Sequence, residues 1–386
     1  MAIELHRTFW PVGHGAFYTE QFVEEGNVVF TAVYDCGSEQ EEALYNCVDA
    51  FKGNIKSINQ IDVLFISHFH ADHVNGLVEL LHGTKVKNLV IPQLTDGYVL
   101  ECLCSNGTTQ MGIEANNFVW KLYKGEDRDI AEKVYEVAEL AAEERGDERF
   151  AEPIEGARGH KFIKGRLNAT LFGFNKNYLW EYIPYNSELS KSQALVEAFK
   201  LNGFTSVGGS LDINRVYGEL QNQEGWETIQ NIYGSVYTSG HNKYSMPVFS
   251  GLMNNANSKT NLIERGCLWP WLISNRGPQN EWINCLYTGD FEPGKKKMSN
   301  LVKYLDEIDM AWDRTYTLQI PHHGSKNNIS PRLYKNGMIG IISAAVGDKH
   351  HHPNVQTIQE AWRNGTFVWV VTDFAITGFT QWFEIV

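Results

Sequence analysis

Ser67-His-Phe-His-Ala-Asp-His73 decides the reading of this chain. The run follows Ile61–Ile66 (IDVLFI), a short, mostly apolar stretch that predicts a buried strand. Side chains at the end of such a strand emerge on a loop held by rigid structure. His68 and His70 alternate and can point the same way, while Asp72 and His73 begin the turn into a helix predicted over Asn75–Leu81. Three imidazoles and one carboxylate this close together can serve two metal ions. Imidazole suits Zn, Fe or Ni, and the carboxylate adds a hard oxygen.

Outward from this run, strands and helices alternate. Glu4–Trp10 and Val28–Tyr34 read as strands, the second ending at Asp35-Cys-Gly-Ser38. Glu41–Phe51 has helical spacing, with Leu44, Cys47, Val48 and Phe51 on one face. Asn88–Ile91 is the next strand. From about residue 245 the pattern resumes: strands over Met246–Phe249, Leu268–Ser274 and Trp282–Tyr287, the last two as a hairpin. Thr315–Ile320 ends at Pro321-His-His-Gly-Ser325, and Met338–Val346 ends near His350–His352. A helix over Val355–Trp362 and strands over Phe367–Val371 and Gln381–Val386 close the chain. This alternation indicates an α/β layer architecture. Between about 100 and 240 it is interrupted. Glu126–Arg145 reads as a charged amphipathic helix, with Ile130, Val134, Val137, Ala138 and Ala141 as its apolar stripe. The expectation is a single domain over 1–386, with a core of about 1–100 and 240–386 and a partly helical insertion over about 100–240.

Composition bounds the function. The chain has 386 residues, 43% of them hydrophobic, so general disorder is excluded. No apolar run approaches the ~20 residues of a membrane-spanning helix, and no export signal is visible at the N-terminus. Six Cys without a C-x-x-C pair make neither a disulfide framework nor a zinc hook, which sets a cytoplasmic expectation. The formal net charge is −13, but residues 126–149 hold ten acids and four bases and so supply −6 of it. The total therefore does not exclude a nucleic-acid substrate. Of thirteen His, eight fall into three clusters: 68, 70, 73; 322, 323; and 350, 351, 352.

The H-x-H-x-D-H run resembles the signature of the metallo-β-lactamase fold superfamily. That resemblance implies a four-layer αββα sandwich with a mono- or dinuclear metal site at the strand ends. Thr288-Gly-Asp290 resembles the strand-ending Asp that bridges the two metals, a place where a carboxylate offsets the repulsion of two dications. Val12-Gly-His-Gly15, Asp35-Cys-Gly37, Pro321-His-His-Gly-Ser325 and His352-Pro353 are similar to the competence-protein (ComEC-like) branch. Three positions depart from it: His14 stands where Gln is usual, Ala16 where an acidic residue is usual, and His351 where Gly is usual.

The resemblance implies the following roles. His68 and His70 would bind the first metal, Asp72, His73 and His352 the second, and Asp290 both. His241 would be the third ligand of the first metal, with Asn242 and the distant His160 as alternatives. His322 or His323 would stabilise the transition state and act as general acid. Asp35 would orient a ligand His through its free ring N–H, or cap its own turn. His350 and His351 read as solvated turn residues, and Trp269, Trp271 and Trp282 as core. Lys295, Lys296 and Lys297 read as a solvated loop, or as an attraction for a phosphate backbone.

The implied cofactors are two divalent ions, Zn first and Mn if Asn242 replaces His241. The implied activity is ester hydrolysis by a metal-bound hydroxide, with Asp72 and Asp290 holding the ions. A phosphodiester is the expected substrate, DNA or RNA first and a small one such as a cyclic nucleotide or phosphocholine ester next. Two other classes remain: an acyl-bond hydrolase of the lactonase or thioesterase kind, and a regulatory module that meets a protein partner through residues 100–240.

Overall fold

The computed structural model describes residues 2–386 apart from 56–58, 141–144, 177–178, 188–191, 238–243, 254–259, 266–282 and 348, with backbone alone over 260–265. In chain order the strands are β1 (Ile3–Phe9), β2 (Gly15–Glu24), β3 (Asn27–Ser38), β4 (Gln60–Phe65), β5 (Lys85–Pro92), β6 (Lys133–Val137), β7 (Ile154–Glu155) and β8 (Lys161–Ile163). Then come β9 (Leu167–Asn168), β10 (Trp180–Pro184), β11 (Val248–Leu252), β12 (Thr260–Arg265), β13 (Cys285–Tyr287), β14 (Thr317–Gln319), β15 (Ile339–Ser343), β16 (Phe367–Val371) and β17 (Phe379–Ile385). One sheet has the order β12-β17-β1-β2-β3-β4-β5-β6-β8-β7 and the other β16-β15-β14-β13-β11-β10-β9.

Each sheet has a parallel half. In the first, β3, β4, β5, β6 and β8 run parallel; in the second, β13 to β16 do. Parallel neighbours need crossover connections. The helix Glu41–Asn54 joins β3 to β4, and the short helices Ala71–Val74 and Leu77–Leu81 join β4 to β5. Leu44, Cys47, Val48 and Phe51 are the buried face of the first of these helices, as their spacing predicts.

Alternation along the strands builds three apolar seams. Val63 and Phe65 face the space between the sheets, where they meet Tyr34, Tyr182, Cys285, Tyr287 and Ile341. Leu64 and Ile66 face the other way, into a core shared with the helices Asp96–Ser105, Gln110–Lys124 and Gln223–Val236. In the second sheet, Leu286, Leu318 and Ile342 meet the helix Lys295–Asp306. The layers are helix, sheet, sheet, helix, a four-layer αββα sandwich.

The space between the sheets is not wholly apolar. Arg7 on β1 and Glu20 on β2 pair there at 2.7 Å with both side chains fully buried. Tyr287 of β13 and Ser250 of β11 donate to the same carboxylate at 3.0 and 2.8 Å. Groups from both sheets thus satisfy one buried ion pair, which fixes how the sheets sit on each other.

The stretch 100–240 departs from expectation. Lys133–Val137, predicted as part of a helix, is strand β6, paired parallel with β5 from Asn88↔Lys133 to Pro92↔Val137. Val134, Tyr135 and Val137 are β-branched or aromatic and all buried, so a place beside β5 outweighs the helical spacing. β10 pairs with β11 in the second sheet. The stretch therefore supplies strands to both sheets, and its helices cover the outer face of the first. Trp269, Trp271, Trp282 and the predicted strand Leu268–Ser274 lie outside the described residues, as do His241 and Asn242. No helix among the described residues is long and apolar enough to cross a membrane.

Candidate metal centre

The parallel strands bring their carboxyl ends together at one rim, the usual place for a site in such sheets. From the first sheet come Asp35, at the end of β3, and the Ser67–His73 loop after β4. From the second come Thr288-Gly-Asp290 after β13, His322 and His323 after β14, and His352 beyond β15.

Asp35 organises the first side. Its carboxylate accepts the Ser67 backbone N–H and the Ser67 hydroxyl, both at 2.7 Å. It also lies 2.8 Å from Nδ1 of His73, which must donate. Because the Ser67 proton is used on Asp35, Nδ1 of His68, 3.0 Å from Ser67 Oγ, is the donor in that contact. One carboxylate thus fixes the tautomers of His68 and His73 and turns both Nε2 lone pairs inward. His70 uses Nε2 on Ser105 Oγ at 3.0 Å, leaving Nδ1 for the site. Asn75 clamps the following turn, accepting from Ser38 N at 2.9 Å and donating to Ser38 O at 2.8 Å.

The second side is held by a residue that sequence reasoning missed. The Gln319 side-chain oxygen accepts the backbone N–H groups of Thr288 and Gly289, both at 2.6 Å. Ser245 Oγ accepts from Asp290 N at 3.0 Å, which sets Asp290 facing the imidazoles. His322 and His323 both have positive φ, 51° and 52°. Two successive non-glycine residues in that region store backbone strain, a feature that gathers at functional sites. Nδ1 of His323 donates to Ser343 O at 2.9 Å, and its Nε2 is 3.2 Å from Asp72 Oδ2.

Among the described residues, donor atoms within 4.8 Å of one another form three groups at this centre: His68, His70 and Asp290; His73, Asp290 and His323; and His14, Asp72 and His323. Asp290 is common to the first two. His73 Nε2 is 3.2 Å from Asp290 Oδ1, and His68 Nε2 is 3.8 Å from Asp290 Oδ2. Both nitrogens are buried and have no hydrogen-bond partner among the described residues. Imidazole lone pairs aimed at a buried carboxylate are what a cation between them would satisfy, so the donor set fits divalent metal ions.

Burial and the neighbouring charges act differently on the members of the set. Burial, helped by the neighbouring imidazoles, holds His68 well below the usual imidazole range, and burial pushes His70 down to about 4. Burial disfavours charge on Asp72 and Asp290 as well, but the surrounding imidazoles outweigh it and hold both carboxyls far below the carboxylate range. For His73 and His323, carboxylates outweigh burial and raise the pKa.

The remaining histidines lie as follows. His352 stands at the rim, its ring 5.8 Å from His322 and 6.3 Å from His323, outside the three-donor groups. His323 occupies the inner position, while the partly exposed His322 has Nε2 3.9 Å from Asp290 Oδ2. His14 enters the site with its ring 3.9 Å from His323. His160 lies elsewhere, against Glu136 on β6 at 2.8 Å.

Comparison with known proteins is sparse. The model of the family described as anti-Pycsar protein Apyc1 matches residues 15–97, the segment from β2 to β5 that carries Asp35 and His68–His73. Among solved structures, a long form RNase Z from yeast is similar at 10% identity with a TM-score of 0.33, covering 89% of this chain. The chain spans 36% of that protein's length. No curated protein matches.

Proposed function

We propose that the protein is a metal-dependent phosphodiesterase. The observation that carries this reading is Asp290, a buried carboxylate shared by two imidazole-bearing donor groups. His68, His70 and Asp290 would hold one ion. Asp72, His73, Asp290 and His323 would hold the other. Zinc suits the imidazole-rich set. Such a pair supplies water activated at neutral pH and a Lewis acid for the phosphoryl oxygen.

The chain's own residues do the rest. Asp35 keeps His68 and His73 in the ligating tautomer. Asp72 and Asp290 stay anionic and balance the charge of the ions. His322, at the rim and outside the donor groups among the described residues, would give a proton to the leaving oxygen. His352, beside it, faces the same opening and would meet the substrate rather than an ion. The anti-Pycsar family match covers the half-site from Asp35 to His73, which supports the metal centre and leaves the ester open.

The test uses four substrates with zinc-loaded protein: bis(p-nitrophenyl) phosphate, a cyclic nucleotide, single-stranded RNA and p-nitrophenyl acetate. Phosphodiester cleavage is expected, and RNA against cyclic nucleotide sorts a nuclease from a small-molecule enzyme. Turnover of the acetate alone would overturn the reading in favour of acyl hydrolysis.

A further inference from the structure

We infer that a further divalent cation binds at His14, Glu39 and His350, next to the proposed pair and on residues not assigned to either of its ions. One donor atom of each lies within 4.8 Å of the others. His350 Nε2 is 3.5 Å from Glu39 Oε1, and the rings of His14 and His350 are 5.1 Å apart. Two imidazoles and one carboxylate converging from one side make a three-ligand site with open positions, suited to Zn or a similar first-row ion.

Two of the ligands are fixed by backbone. Glu39 N donates to His14 O at 2.8 Å, and His14 N donates to Gln40 Oε1 at 2.6 Å. The turn that carries His14 is pressed hard onto its neighbour: a Cβ on Gly15 would lie 2.2 Å from Gly37 O. The third ligand, His350, arrives on the turn after β15. His14 is buried, Glu39 is half-buried and His350 is exposed, so the site opens to solvent and an ion could exchange there.

The ammonium of Lys349 also approaches Glu39, at 3.1 Å from Oε2. It takes the far oxygen and leaves Oε1 facing the imidazoles. At 68% exposure that side chain is free to turn outward. His14 stands between this site and the pair, with its ring 3.9 Å from that of His323. An ion here would extend the positive field at the mouth through which an anionic ester enters.

The test is zinc content after equilibrium dialysis, for wild type, His350→Ala, Glu39→Gln and Asp290→Asn. His350 and Glu39 lie at the surface, so circular dichroism should find both variants folded. Each of these two is expected to hold about one zinc fewer than wild type, and Asp290→Asn is expected to keep the His350-dependent ion. Zinc content unchanged in both His350→Ala and Glu39→Gln would overturn the site. Equal zinc in wild type and Asp290→Asn would instead overturn the shared-carboxylate pair, so the two failures are separable.

Discussion

Asp35 Oδ2 lies 2.8 Å from His73 Nδ1, and the same oxygen takes the Ser67 hydroxyl proton at 2.7 Å. Two imidazoles facing the centre are therefore set by one carboxylate. Asp35 has φ +51°, which Asn tolerates better than most residues, so Asp35→Asn is the clean test. It should weaken metal binding by about 10–100-fold, measured by competition with a chelator, while the protein stays folded.

His322 and His323 should separate cleanly. His323→Ala removes a donor from the His73–Asp290 group and should lower metal content. His322→Ala should retain its metal and lose kcat by about 10²–10⁴-fold. Metal analysis with steady-state kinetics on both variants checks this. Full activity in His322→Ala would remove it from the chemistry.

Much of this site was legible from the chain, for a local reason. His68, His70, Asp72 and His73 follow directly on a buried strand, and Asp290, His322 and His323 follow on two more, so each group announces its own strand end. Asp35 was readable in the same way. What the sequence concealed depends on contacts between distant segments. Gln319 is the last residue of β14 and shows its role only when β13 lies beside it. His14 and His350 are far apart in sequence and meet only because the start of β2 and the end of β15 lie at one rim. Lys133–Val137 misled because Ile130, Val134, Val137 and Ala138 fit a helical stripe, and only pairing with β5 decides the matter.

Gly37 has a packing duty. A Cβ there would lie 2.5 Å from the His73 carbonyl carbon and 2.6 Å from that of Asp72. Backbone cannot yield as a flexible side chain can. Gly37→Ala should cost about 1–3 kcal/mol in chemical denaturation, and it should displace the metal-binding turn enough to lower metal affinity.

The Arg7–Glu20 pair tests the sandwich itself. Arg7→Leu leaves Glu20 buried without its cation and should cost about 3–5 kcal/mol, seen as a lower urea midpoint. Arg7→Leu combined with Glu20→Leu should recover part of the loss. Equal midpoints for wild type and Arg7→Leu would show that the pair does not hold the sheets together.

Asp290 is where the proposed metal pair stands or falls. The direct measurement is zinc content alongside bis(p-nitrophenyl) phosphate turnover, for wild type and Asp290→Ala. A shared carboxylate predicts that wild type carries zinc and turns the substrate over, and that Asp290→Ala loses the metal of the pair together with roughly 10³-fold or more of the rate. Metal-free wild type with activity, or equal turnover by the two proteins, would contradict it.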